Sequence, residues 1–234
     1  MVLVLMILCG QAWAENDIAT AKGSFYLSAS SGTYVGARDT TETSSAIGSA
    51  YQVVGQRKLG ATYQLYRAGN RFVIPTMSSA SECTLWVYGR EDDSDTNFSI
   101  YIIGANSMRP IQDKADYILF DGRTAGGAHT GTILNNAYAS TDFVDATWNP
   151  IVFNAAGIDS LVAAQGDTLW IALISKEDYD NSAPTNDEYI VFESLAEVGF
   201  EPYLSFTYND PVVPVAKHDT YTLVNPYNQI TRIK

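Results

Sequence analysis

Asn186-Asp-Glu-Tyr-Ile-Val-Phe-Glu-Ser194, a short turn, and Glu201-Pro-Tyr-Leu-Ser-Phe-Thr-Tyr208 form the stretch from which the architecture is read. Both halves interleave aromatic and β-branched residues with polar ones, the composition of a pleated surface buried on one side. They are expected as the closing strands, Glu188 to Phe192 and Tyr203 to Tyr208, of an all-β, two-sheet antiparallel sandwich. Working outward, similar patterns predict strands at Ser24 to Ala29, Tyr51 to Val54, Thr62 to Arg67, Asn70 to Ile74, Phe143 to Thr147 and Ile151 to Phe153. Thr168 to Ile174 is almost continuously apolar, as a central strand would be. Glu82 to Tyr88 alternates Cys83, Leu85 and Val87 against Thr84, Trp86 and Tyr88. With Phe98 to Ile103 it is expected to make a hairpin across the acidic turn Arg90 to Asn97. Asp159 to Ala164, bounded by Gly157 and Gly166, reads as one short helix. Gly36 to Ser49 and Asn106 to Ala139 read as long loops.

A chain of 234 residues, 46% of them hydrophobic, can bury one sizeable core, so a single main domain is expected. Twenty-six acidic residues against 14 basic ones give a formal charge of -12, and the longest basic cluster is Arg57-Lys58. Such a surface repels a phosphate backbone, so no nucleic acid partner is expected. The first 14 residues are an apolar run ending in Ala12-Trp13-Ala14, the small-x-small form of a signal-peptidase site, and cleavage is expected after Ala14. The run is shorter than the roughly 20 apolar residues of a membrane span, so stable insertion is not expected. Residues 15–208 then form the β-sandwich domain. Residues 209–234 form a linker, Asp210-Pro211-Val212-Val213-Pro214, and a strand-like C-terminal tail. Removal of Cys9 with the leader leaves Cys83 alone, without an intrachain disulfide, and its place on an alternating face reads as a small buried hydrophobe. The expected location is secreted, extracellular or at a cell surface, with a virion as the other setting.

Tyr66-Arg67 running into Arg71-Phe72-Val73-Ile74-Pro75, then Ser81 to Tyr88, Asn154-Ala155-Ala156-Gly157-Ile158, Leu169 to Ile174, Glu188 to Ser194 and Pro202 to Tyr208 follow one another in a recognisable order. This ordered set resembles the secreted β-sandwich domains of the DNRLRE type, which are similar to the jelly rolls of carbohydrate-binding modules. The likeness covers most of Ser24 to Tyr208, while the string Asp-Asn-Arg-Leu-Arg-Glu that names the family is missing. The resemblance implies a jelly-roll topology and a non-catalytic adhesive or structural role. Fold-level analogy does not choose a ligand.

Asp92, Asp93, Asp95 and Asn97 place oxygen atoms at alternating positions, which suits calcium, with Asp93, Asp95 and Asn97 as the candidate ligands. The same residue types are favoured in a solvated turn for backbone reasons. His129 and His218 fall in unrelated loops without a zinc or triad pattern. No spacing sets two carboxylates across a cleft as glycoside hydrolysis requires, so no catalytic residues are expected. Trp86, Tyr88 and Tyr101 are the candidate ligand-binding residues, set to share the exposed side of the hairpin if they do not fill the core. The leading expectation is a non-catalytic structural or adhesive module of a surface, filament or virion, acting through protein partners or self-association. The alternatives are a soluble carbohydrate-binding module and a glycan-active enzyme. A concave or flat aromatic patch would mark the first alternative, and two carboxylates facing across a cleft the second.

Overall fold

The computed structural model describes residues 14–40, 44–46, 50–106 and 114–209. The expected leader up to Trp13 and the tail beyond Asn209 lie outside the described residues. The strands are β1 (Ala14–Ser31), β2 (Ser44–Ala46), β3 (Tyr51–Leu59), β4 (Thr62–Val73), β5 (Ser79–Asp92) and β6 (Ser99–Gly104). They continue with β7 (Tyr138–Ala139), β8 (Trp148–Val152), β9 (Thr168–Ser175), β10 (Glu188–Glu193) and β11 (Tyr203–Asn209). Among the described residues three short α-helices interrupt them, α1 (Tyr34–Asp39), α2 (Ala155–Ala163) and α3 (Lys176–Tyr179), together with 3-10 turns at Lys114–Ile118 and Ser140–Asp142.

The protein is mostly β, as expected, and its strands join into one large antiparallel sheet of order β2-β1-β11-β5-β10-β3-β4-β9-β6-β7, with β8 added to β5. β1 is used twice: its residues 14–20 pair with β11 and its residues 21–31 with β4. That second pairing closes a circuit, and the sheet curls into a nearly barrel-shaped wall. β10 and β11 form where the closing strands were expected, yet they do not pair with each other. Both lie along β5, β11 beside residues 79–86 and β10 beside residues 89–92.

Four local expectations are corrected. Glu82 to Tyr88 and Phe98 to Ile103 are strands but not a hairpin, because β5 pairs with β8, β10 and β11, and β6 with β7 and β9. The acidic turn is drawn sideways instead: the backbone N–H groups of Asp93 and Asp95 donate to the carbonyls of Tyr189 and Asp187. The separate strands expected at Thr62 to Arg67 and Asn70 to Ile74 are one strand, since β4 runs straight through Gly69. A Cβ on Gly69 would stand 2.4 Å from the Phe25 ring, so the glycine makes room for its cross-strand partner. Asn70 is buried there with Gln52, whose amide donates to the carbonyls of Phe25 and Gly69 and to Asn70 Oδ1. Gly36 to Ser49 is not a loop throughout, because α1 begins at Tyr34, capped by Thr33 Oγ1 accepting from the Gly36 N–H. Six residues are too few to show a helical stripe. Phe143 to Thr147 is a turn, clasped by the Asn149 side chain, which accepts from Val144 N–H at 2.8 Å and donates to the Val144 and Thr147 carbonyls.

The apolar run in β9 has a direct cause. Leu169, Ile171 and Leu173 enter one core with Leu85, Val87, Ile100 and Phe192, while Ala172 and Ile174 enter a second with Phe25, Leu65 and Tyr117. Both faces of β9 are thus covered, and neither tolerates polar residues. Cys83 lies in the first core, and burial pushes its thiol up to about 12, so it behaves as the expected inert hydrophobe. The expected helix is present as α2, its N-terminus capped by Asn154 Oδ1 accepting from the Gly157 N–H.

A buried charge centre holds the second core's cover in place. Arg67 grips Asp178 with both arms of its guanidinium, Nε to Oδ2 at 2.6 Å and Nη2 to Oδ1 at 2.9 Å. Arg38 Nε lies 3.1 Å from Asp178 Oδ1 and also donates to the Asp178 carbonyl. The Thr124 N–H donates to His129 Nδ1, which leaves Nε2 to carry its hydrogen toward Asp178 Oδ1 at 3.4 Å. Arg67 further donates to the carbonyls of Tyr117 and Arg38. This one carboxylate therefore ties β4, α1, α3 and the loop carrying His129 together.

Next to it, Glu177 keeps one buried carboxyl oxygen without a partner. Burial, to which the Glu188 carboxylate adds, pushes its pKa up to about 7. The native state therefore holds this proton in a pH range where the unfolded chain has released it, and the associated stability is lost as pH rises from about 4.3 through 7. Glu177→Gln is expected to raise the melting temperature by a few degrees at pH 8, about 1 kcal/mol given the group's partial exposure, and to change it little at pH 5. Thermal scans at the two pH values check this.

Candidate functional site

β5 presents Cys83, Leu85 and Val87 to the core and Trp86 and Tyr88 outward, the alternation read from the sequence. What surrounds the outward pair comes from three other parts of the chain. In register, Trp86 faces Tyr203 of β11 on one side and Pro150 of β8 on the other, and Tyr88 faces Trp148. The Trp86 and Tyr203 rings are stacked, with centroids 6.1 Å apart and planes 15° from parallel. Trp148 meets Tyr203 edge-on at 4.9 Å, and Tyr88 meets Trp148 edge-on at 5.5 Å. Phe200, from the turn before β11, closes on Tyr88 at 4.2 Å.

The result is a band of half-buried aromatic rings on the outer face of the sheet, with the stacked, near-parallel Trp86 and Tyr203 at one end. Its polar atoms are anchored. Trp86 Nε1 donates to Ser205 Oγ at 2.9 Å, and the Tyr88 hydroxyl donates to the Ala146 carbonyl at 2.7 Å. These bonds fix the ring planes and leave the ring faces as the chemistry on offer. Two of the three expected aromatic residues are thus brought together. Tyr101 is not with them, because β6 lies elsewhere in the sheet, and its ring packs edge-on against Tyr179 at 5.5 Å. Trp148, Tyr203 and Phe200 were missed, since only the strand register brings them beside β5.

Asp93, Asp95 and Asn97 fall in the turn after β5, with Asp95 and Asn97 exposed. Asp93 lines a separate hollow walled by tyrosines. Among the described residues, no group of three or more His, Cys, Asp or Glu side chains is placed to hold a metal ion. His129 lies in a loop, as expected, and its ring belongs to the buried charge centre, while His218 lies outside the described residues. Burial holds the His129 imidazole below its ordinary range, despite the hydrogen bond and charge of Asp178.

A polar hollow of about 360 Å3 opens beside α2 and includes two carboxylates, Asp121 and Asp167, together with Trp170. Each carboxylate has a structural engagement. Asp121 Oδ2 accepts from the Asn106 amide at 3.0 Å, and Asp167 Oδ1 accepts from the Thr168 N–H at 2.7 Å. No helix among the described residues is long and apolar enough to cross a membrane. Compared with known proteins, the chain matches no family model and no curated relative.

Proposed function

We propose that this chain is a non-catalytic, secreted adhesive module of jelly-roll type, akin to the DNRLRE-type domains it resembles, and that it holds carbohydrate on the aromatic band. The observation that carries this reading is the stacked pair Trp86 and Tyr203, flanked by Trp148 and Tyr88 on an outward sheet face. Flat rings with anchored polar atoms suit the C–H faces of sugar rings, which need contact area and little directional bonding. An enzyme reading has less to build on, because the two carboxylates of the polar hollow are occupied in fixing their own loops.

The leading alternative is a module of a surface, filament or virion that acts through protein contacts, where the same rings would be covered by a partner or second copy. Strand addition on β8 does not favour it, since Pro150 removes a backbone donor from that strand.

Retention on insoluble and soluble polysaccharides, measured by pull-down and affinity electrophoresis, tests the proposal. The double change Trp86→Ala and Tyr203→Ala is expected to weaken retention about tenfold to a hundredfold, as the loss of about 1 kcal/mol per ring implies. A wild-type protein that binds no polysaccharide and forms stable oligomers, dispersed by the same double change, would establish the protein-contact reading instead.

A further inference from the structure

Away from the aromatic band, four strands each contribute one tyrosine to a hollow of about 310 Å3: Tyr26 from β1, Tyr51 from β3, Tyr66 from β4 and Tyr189 from β10. Its floor is Val53 and Val191, which with Tyr66 form a small buried cluster separate from both main cores. The sheet therefore has apolar residues on an outward face that packing of the interior does not require. Tyr26 and Tyr51 stack with centroids 5.7 Å apart and planes 21° from parallel, and Tyr66 lies 5.3 Å from Tyr189. At the rim stand Arg90, Glu91 and Asp93.

We propose that this hollow is a binding site for one neutral hexopyranose ring. Its size lies at the small end of ligand pockets, about 300–1,000 Å3. The charges argue for a neutral occupant. Arg57 already lies over the Tyr66 and Tyr189 rings at 5.9 and 5.7 Å, and Arg90 over Tyr51 at 5.1 Å, so the attraction of these ring faces for cations is met within the protein. An anion would meet Glu91 and Asp93 and the chain's charge of -12. A sugar ring suits what remains: its C–H face rests on the tyrosines, while Arg90 donates to, and Asp93 and Glu91 accept from, the hydroxyls around its edge. The phenols assist as neutral groups. Burial pushes Tyr66 up to about 12, and burial with a hydrogen bond to Asp93 does the same for Tyr189.

The inference rests on the adhesive reading only in taking carbohydrate as the target class, since the hollow and the band share no residue. Two separated sites on one module would add avidity toward a branched or clustered glycan. The test is saturation-transfer-difference NMR on the full chain with glucose, galactose, mannose and N-acetylglucosamine, alongside tetramethylammonium as a cationic probe. At least one hexose is expected to show transfer to the protons of one ring face. Tyr51→Ala and Asp93→Asn should each weaken its apparent affinity tenfold or more. Tyr51→Phe, which keeps the ring, should retain binding and certifies that the fold persists. Transfer to tetramethylammonium alone, to no probe, or equally strong hexose transfer in Tyr51→Ala would overturn the proposal. Hexose binding by a wild type that polysaccharides do not retain would remove the band's role and leave the hollow's intact.

Discussion

Asp178→Ala is expected to lower the unfolding free energy by about 3–5 kcal/mol, the usual cost of removing one partner from a buried ion pair. Among the described residues, this carboxylate is the only acid that both Arg67 and Arg38 meet at 3.1 Å or less, and all three groups are almost fully buried. Without it, the Arg67 guanidinium is left with carbonyl acceptors alone, and Arg38 keeps only Asp39 at 3.3 Å, carbonyls and a neutral imidazole. For a domain whose total stability is about 5–15 kcal/mol, that loss shows as a large drop in urea midpoint and a poor soluble yield. Asp178→Asn keeps the shape but not the charge, and most of the loss should persist. The pH profile separates this from simple loss of packing. Burial alone would raise the Asp178 carboxyl, but Arg67, together with hydrogen bonds from His129 and Arg67, holds it well below the ordinary carboxylate range. The unfolded chain therefore takes up that proton first, near pH 3.9, so the stabilisation is complete above about pH 5 and declines as pH falls. His129, held below its ordinary value by burial, adds a loss beginning near pH 6.5 on acidification. The gap between wild type and Asp178→Ala should be constant from pH 8 to about 6.5, widen slightly below that because His129 loses the Asp178 contact that favours its protonation, and shrink below about pH 4. A gap that stays constant to pH 3 would show that the charge is not what the variant removes.

The contrast between β5 and the charge centre shows what a sequence carries and what it leaves to the fold. Alternation along Glu82 to Tyr88 correctly separates Leu85 and Val87 from Trp86 and Tyr88, because side-chain direction in a strand is set by backbone geometry alone. It does not say which strands flank it. That depends on where long connections return, and a neighbouring β-run such as Phe98 to Ile103 is as plausible by pattern as the distant β11. Arg67 reads as the polar end of a strand, and its carboxylate partner is 111 residues away. The tyrosine hollow is harder still to read, since residues 26, 51, 66 and 189 are single tyrosines in ordinary strands and acquire meaning only when β1, β3, β4 and β10 are set side by side. The aromatic band was half visible because Trp86 and Tyr88 are two residues apart; Trp148 and Tyr203 reach them only through register.

Gly55→Ala is expected to destabilise the protein by about 3 kcal/mol or more, through two costs that add at one position. Gly55 has φ of +132°, a conformation that L side chains rarely adopt. An added Cβ would stand 2.1 Å from the Glu188 carbonyl oxygen and 2.6 Å from Tyr189 Cα. Those atoms belong to the backbone of β10, so no side-chain rotation relieves the overlap and the two strands must separate. Gly60 provides the comparison. It also has positive φ, at +60°, but a Cβ there meets nothing within 4 Å. Gly60→Asn should therefore cost only the mild strain of a left-handed turn residue and shift the melting temperature slightly. The Gly55 change has a second consequence, because this residue pairs with Tyr189 on β10 and with Tyr66 on β4. Separating β3 from β10 moves Tyr189 away from Tyr66, whose rings now lie 5.3 Å apart across the hollow. A Gly55→Ala protein that still folds by circular dichroism should therefore show weakened hexose transfer before global unfolding. If thermal denaturation placed Gly55→Ala and Gly60→Asn within a degree of each other, the close approach of β3 to β10 would not be what holds that wall of the hollow.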